Sequence, residues 1–224
     1  MTNNKIPAIV LRRTNYGEAD RILQLLTPNG RVSVMARGVR KEKSRLSGGI
    51  ELFSICEVSI IEGKGDLGVL TSARLMRFFS HIMEDYDRMQ FAYSVIKLIS
   101  VASESTDSSE WFDLLAELFA GLDNNSISFE LVESWFYLRY AMLTGYELSL
   151  WNDCDGNKIL EDSKYQYDAN EKGLRPNENG ELSAAHIKLL RLIATKPLKV
   201  LAQIGGVEPI IKDCLFVTRQ HAAV

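Results

Sequence analysis

Six cations, Arg31, Arg37, Arg40, Lys41, Lys43 and Arg45, fall between positions 31 and 45 against a single anion, Glu42. Guanidinium and ammonium groups at that density make and break no bonds. They hold phosphates or carboxylates, and each phosphate they neutralise releases counterions. The chain as a whole is acidic, with a formal net charge of −3, so the cluster is a local field. Residues 1–80 carry 13 Lys+Arg and 7 Asp+Glu, whereas residues 81–224 carry 13 and 22. Arg12, Arg13, Arg74 and Arg77 add to the basic half. This asymmetry points to a polyanionic partner for the first 80 residues. A charge run by itself is a solvated loop, and an acidic protein patch would satisfy the same cations as a nucleic acid.

The remaining chemistry-bearing residues assemble no reaction. Gly63-Lys64-Gly65-Asp66-Leu67-Gly68 matches the G-x-G-x-x-G dinucleotide pattern, but that pattern must open a helix after a strand. Here Val69-Leu70-Thr71 reads as a second strand, so the glycines make a hairpin turn. Cys154, in Trp151-Asn152-Asp153-Cys154-Asp155-Gly156, resembles half of a zinc-ribbon knuckle. Structural zinc needs four Cys or His ligands, and residues 165–180 contain neither type. Cys56 and Cys214 read as small buried apolar residues. His81 is isolated, and His186 and His221 read as surface residues. Acidic pairs such as Asp153/Asp155 and Glu161/Asp162 lie in a polar stretch. With no P-loop, nucleophile elbow or H-E-x-x-H motif, the sequence argues against an enzyme.

The basic cluster needs a scaffold, and periodicity supplies one. Ile6–Arg13, Ile22–Leu26, Arg31–Arg37, Leu52–Glu62 and Leu67–Arg77 read as five strands separated by turns. In the third, Val32, Val34 and Ala36 share one face while Arg31, Ser33, Met35 and Arg37 share the other. Five strands in under 80 residues suggest a small closed barrel, and a five-stranded OB-fold satisfies that count. The period then changes to helical. Helices are expected over residues 83–101, from the capping-box pattern Asp107-Ser108-Ser109-Glu110 to Gly121, over 127–144, and from Ser183 to Pro197. Two short helical pieces follow around 198–204 and 209–217. Trp151–Gly180 reads as a polar insertion. The expected architecture is therefore α+β with two domains: an OB-fold β-barrel over 1–78 and an α-helical domain over 79–224, with an irregular insertion near 151–180. The aromatics from Trp111 to Tyr140 read mostly as core. No stretch is long and apolar enough for a transmembrane helix, and three scattered cysteines suggest a reduced, cytoplasmic setting.

Residues 8–45 carry a more specific pattern. A strand ending Leu11-Arg12-Arg13 is followed by Tyr16-Gly17-Glu18-Ala19-Asp20, a short strand, Thr27-Pro28-Asn29-Gly30, and Ala36-Arg37-Gly38 with a basic loop. This resembles the RecO family of bacterial DNA repair proteins, sharply over the first 77 residues and in outline beyond. The resemblance implies a non-enzymatic, nucleoid-associated recombination mediator with an OB-fold and a helical domain. It implies binding of single- and double-stranded DNA, annealing of complementary strands, and contact with RecR and the single-stranded-DNA-binding protein. With those partners, it implies help in loading RecA on gaps. The implied DNA surface maps onto Arg37, Arg40, Lys41, Lys43 and Arg45, and less directly onto Arg12 and Arg13. Arg31, Arg74 and Arg77 join them on charge alone. A groove for the acidic, apolar tail of the single-strand-binding protein would draw on Arg139, Lys188 and Arg191. Many members carry a four-cysteine zinc module at the insertion, whereas this chain retains only Cys154, so no cofactor and no zinc is expected. Two rival readings remain: a protein–protein adaptor with incidental nucleic-acid binding, and an OB-fold protein of RNA metabolism.

Overall fold

A computed structural model describes residues 5–61, 63, 65–104 and 109–222. Glu62 and Lys64 of the glycine turn, and Asp107 and Ser108 of the expected capping box, lie outside the described residues. Five strands, β1 (Lys5–Tyr16), β2 (Asp20–Thr27), β3 (Gly30–Ala36), β4 (Ser54–Ile61) and β5 (Leu67–Phe78), close a barrel in the order β1-β2-β3-β5-β4. All pairs are antiparallel except β3 with β5, which runs parallel from Ser33↔Leu67 to Met35↔Val69. Together with β1–β4 closure, that parallel pair gives the five-stranded OB topology expected from the sequence.

Long strands must bend to serve in so small a barrel, and β-bulges bend them. β1 shifts register between Val10 and Arg12, and β5 shifts twice against β4. Side chains from every strand fill the interior, among them Ala8, Val10, Leu23, Leu25, Val34, Ala36, Cys56, Val58 and Leu70. In β3, Val34 and Ala36 are buried and Val32 packs partly against the same core, as the alternation predicts. The G-x-G-x-x-G segment forms no phosphate loop. Gly65 turns at φ +70°, and Gly68 already belongs to β5, where a Cβ would meet the Ile60 side chain.

Ile9 and Leu26 face away from that interior, yet both are fully buried. The reason is a helical layer: α1 (Tyr86–Ala102) and α2 (Ser109–Leu122) pack against β1–β3. The first compact unit therefore continues through Asp123, and the second begins at Asn124. Asp85 caps α1, accepting hydrogen bonds from the Asp87 and Arg88 amides. Trp111, Phe112 and Phe119 of α2 are buried, as a core reading requires.

The second unit is built on α3 (Phe129–Leu143), α4 (Ala184–Thr195), the short α5 (Leu198–Leu201) and α6 (Ile211–Ala222). Ser128 caps α3, and Gly145, at φ +84°, ends it in the left-handed conformation that glycine adopts most readily. The insertion contains a two-stranded hairpin, β6 (Tyr165–Asp168) and β7 (Gly173–Pro176).

Two histidines overturn their surface reading, because each is buried where elements meet. His186 accepts the Ser183 amide through Nδ1 and lies 3.1 Å from Asp213 of α6 through Nε2. His221 sits between the Tyr167 hydroxyl and the Tyr146 carbonyl, and burial pushes its pKa below the usual imidazole value. The Ser183 contact is local, but those to Asp213, Tyr167 and Tyr146 join residues 27 to 75 positions apart, beyond the reach of any local pattern.

Candidate nucleic-acid interface

The loop from Arg37 to Phe53 leaves β3 at the barrel end that also carries the β1–β2 turn. Its first residues are held in place by that turn. The Gly38 amide donates to the Asp20 carboxylate at 2.6 Å, and the Arg40 amide donates to the Ala19 carbonyl at 2.9 Å. Gly38 adopts φ +63°, which suits a residue without Cβ. Val39 then drops into the barrel core, so the cations on either side of it point outward. Turns from Gly38 to Lys41 and from Lys41 to Ser44 continue the path, each closed by a backbone hydrogen bond.

The loop's far end is fixed by close packing. Gly49 lies against the Ala73 backbone, and a Cβ there would come within 2.5 Å of it. Ile50 is fully buried in the core. Phe53 adopts φ +53°, a strained backbone for a non-glycine residue. Its ring compensates by packing edge-on against Tyr93 of α1 and Phe119 of α2, at centroid distances of 4.9 and 5.8 Å. A loop tethered at both ends presents its charges in a defined place, so less conformational entropy is lost when a ligand binds.

The structure sorts the sequence-derived cations into two groups. Arg37, Arg40, Lys41, Lys43 and Arg45 are exposed and form no ion pair among the described residues. The Arg40 guanidinium donates to the Gly17 carbonyl at 3.2 Å, a third hydrogen bond between the loop and the turn. Arg12 is likewise exposed on β1, without an ion pair among those residues. The other four are engaged. Arg13, on the opposite face of β1 from Arg12, pairs with Glu51 at 2.9 Å. Arg31 donates to the Ser100 carbonyl and to Glu104, both at the C-terminal end of α1. Arg74 shares Glu57 with Lys5. Arg77 lies 3.8 Å from Asp123 and stacks over Phe79. Asp20 is the residue the sequence pattern contains but does not explain, because its partner, the Gly38 amide, lies 18 positions away.

In the second unit, Arg191 and Lys188 line one cleft together with Ile159, Leu160 and Ile187. Arg191 also borders a cavity of about 310 Å³ with Leu148, Leu150 and Trp151. Its guanidinium stacks 4.0 Å from the centre of the exposed Trp151 ring and donates to the Leu150 carbonyl. Lys188 is 3.1 Å from Glu161. Arg139 belongs to neither lining; it lies beside Trp135 and the Lys196 carbonyl. The structure thus brings two of the three expected cations together.

The insertion does not fit a four-ligand zinc site. Cys154 is its sole Cys or His, and no cluster of three metal-type ligands occurs among the described residues. Hydrogen bonds organise the knuckle: the Asp153 carboxylate accepts the Asp155 and Asn157 amides, and the Cys154 amide donates to Leu174 of β7. Arg175 bridges Asp155 and Asp168, so an ion-paired cation links the knuckle to the hairpin. Burial raises the thiol pKa of Cys56 to about 11 and of Cys214 to about 12, which keeps both protonated and unreactive. No helix among the described residues is long and apolar enough to cross a membrane.

Comparison with known proteins identifies the family. The family model "Recombination protein O N terminal" matches residues 1–79, and "Recombination protein O C terminal" matches residues 83–223. A DNA repair protein RecO from Rubrobacter xylanophilus is 33% identical over 160 residues, covering 70% of this chain and 64% of that protein. One from Dehalococcoides mccartyi is 34% identical over 165 residues, covering 72% and 64%. One from a Roseiflexus species is 30% identical over 201 residues, covering 86% and 70%. The chain thus spans just under two thirds of the length of the first two of these relatives. Matched along nearly all of its own length by the two models, the chain belongs to the RecO family of DNA repair and recombination proteins.

Proposed function

We propose that this chain is a recombination mediator that acts by binding and catalyses no reaction. The observation that carries the reading is the tethered loop, with five exposed cations and no carboxylate pairing among the described residues. Single- and double-stranded DNA are its ligands. DNA contact is assigned to the barrel, residues 1–78, and protein contact mainly to the helical part, residues 79–224. Cations that hold two backbones at once remove the repulsion between them, which favours annealing of complementary strands. Through RecR and the single-strand-binding protein, the same surface would be delivered to coated gaps for RecA loading. The test of the core of this reading is duplex formation between complementary oligonucleotides coated with single-strand-binding protein. The protein accelerates it several-fold over a neutral control protein of equal concentration; equal rates would sink the annealing role.

The acidic, apolar tail of the single-strand-binding protein is assigned to the Arg191 cleft, where cations border apolar walls. A tail peptide loses about ten-fold in affinity on Lys188→Ala/Arg191→Ala, as expected for losing charge-assisted contacts, while Arg139→Ala leaves it unchanged. Equal binding by the double variant and wild type would remove this site.

A further inference from the structure

Tyr16 is the last residue of β1, at the end of the barrel where the basic loop is tethered. Beyond Val10, β1 pairs only with β2, because its β4 pairing stops at Ile9. The β1–β2 hairpin therefore extends past the closed part of the barrel. Thr14, Asn15 and Tyr16 are all exposed there, with the Tyr16 residue 55% accessible. Its neighbours are held in place. Arg21 donates to Asn15, Asp20 accepts the Gly38 amide, and the carbonyl of Gly17, the next residue, accepts the Arg40 guanidinium. An aromatic ring is thus presented to solvent one residue from the point where the cationic loop is fastened.

We propose that Tyr16 is a base-stacking platform and that its ligand is single-stranded nucleic acid, with phosphates on the loop cations and an unpaired base on the ring. The inference rests on the DNA reading above and adds to it. The loop cations contact phosphates and do not distinguish single strands from duplex. A ring has nothing to stack on in a duplex whose bases are already stacked, whereas every unpaired base offers a π-face. Charge complementarity selects this occupant over an apolar peptide, because the cations nearest the ring form no carboxylate pairs among the described residues. It also places the strand: the backbone runs over Arg40 and Lys41 while a base turns toward the hairpin tip.

The experiment measures anisotropy of three labelled probes with the intact 224-residue chain: an oligo-dT, an abasic oligonucleotide of equal length, and a duplex. Tyr16→Ala weakens oligo-dT binding about ten-fold, in the range of one lost base stack, and leaves the abasic and duplex probes within two-fold. Tyr16→Phe retains wild-type affinity for all three, since the ring and not the hydroxyl does the stacking. A uniform loss on every probe, no loss on any, or failure of Tyr16→Phe to restore binding would overturn the platform while leaving the DNA reading intact. Failure of wild type to bind any of the probes would overturn both.

Discussion

Charge reversal of the loop by Arg40→Glu/Lys41→Glu/Lys43→Glu lowers affinity for single-stranded DNA by roughly two orders of magnitude or more at low salt. Each single-strand phosphate contact contributes about −0.7 to the log–log dependence of binding on salt. Loss of three contacts therefore flattens the slope by about two. The substitution also adds three anions beside the remaining cations, so the affinity loss exceeds that of neutralisation. The Gln/Gln/Gln variant falls between, with the same flattened slope and a smaller loss. The fold tolerates the change because these side chains are exposed and the loop is held chiefly through its Gly38 and Arg40 amides and Val39. One side-chain contact, Arg40 to the Gly17 carbonyl, is lost. Reversal of an engaged cation, Arg74→Glu, is the control. Its pairing with Glu57 predicts a loss of less than a few-fold. Wild-type binding by the triple variant would place the DNA elsewhere and leave the loop to an acidic protein partner.

Arg219→Ala destabilises the second unit by about 3 kcal/mol, toward the lower end for breaking a buried pair. Glu133 of α3 is 5% exposed in its side chain, and both its oxygens accept Arg219 of α6, at 2.8 and 2.7 Å. The hydrogen bonds to Glu133 are the main cause of the raised Arg219 pKa, so the cation stays charged throughout the working range. Arg219 is itself half-exposed, and water reaching the vacated position tempers the loss. Urea unfolding followed by tryptophan fluorescence reads the loss. Glu133→Gln in the Arg219→Ala background recovers part of the loss by removing the charge; no recovery would mean that packing of the arginine stem dominates.

Much of the barrel was legible in the chain. Alternation marked β3 and its inward face, and glycine-containing turns separated the five strands. Those features depend on residues two to four positions apart, which is the range over which backbone geometry imposes a period. The density of cations between Arg31 and Arg45 is equally a local property. The C-terminal end of α3 followed as well, because its signal, Gly145, lies within one turn of the helix.

What distinguishes one cation from another came only with the tertiary structure. Arg13 and Arg31 look like Arg40 and Lys41 in the sequence. Their carboxylates, Glu51 and Glu104, lie 38 and 73 positions away, so pairing depends on how the chain returns to itself. The same holds for Ile9 and Leu26, whose burial on the outer face depends on α1 and α2 covering the barrel. It holds for His186 and His221, drawn inside by partners on other elements, and for the Asp20–Gly38 tether that brings Tyr16 beside the loop. Periodicity reports what one segment does with its own neighbours. Burial and ion pairing are set by contacts between segments, and those exist only once hydrophobic burial has selected a single packing of strands and helices.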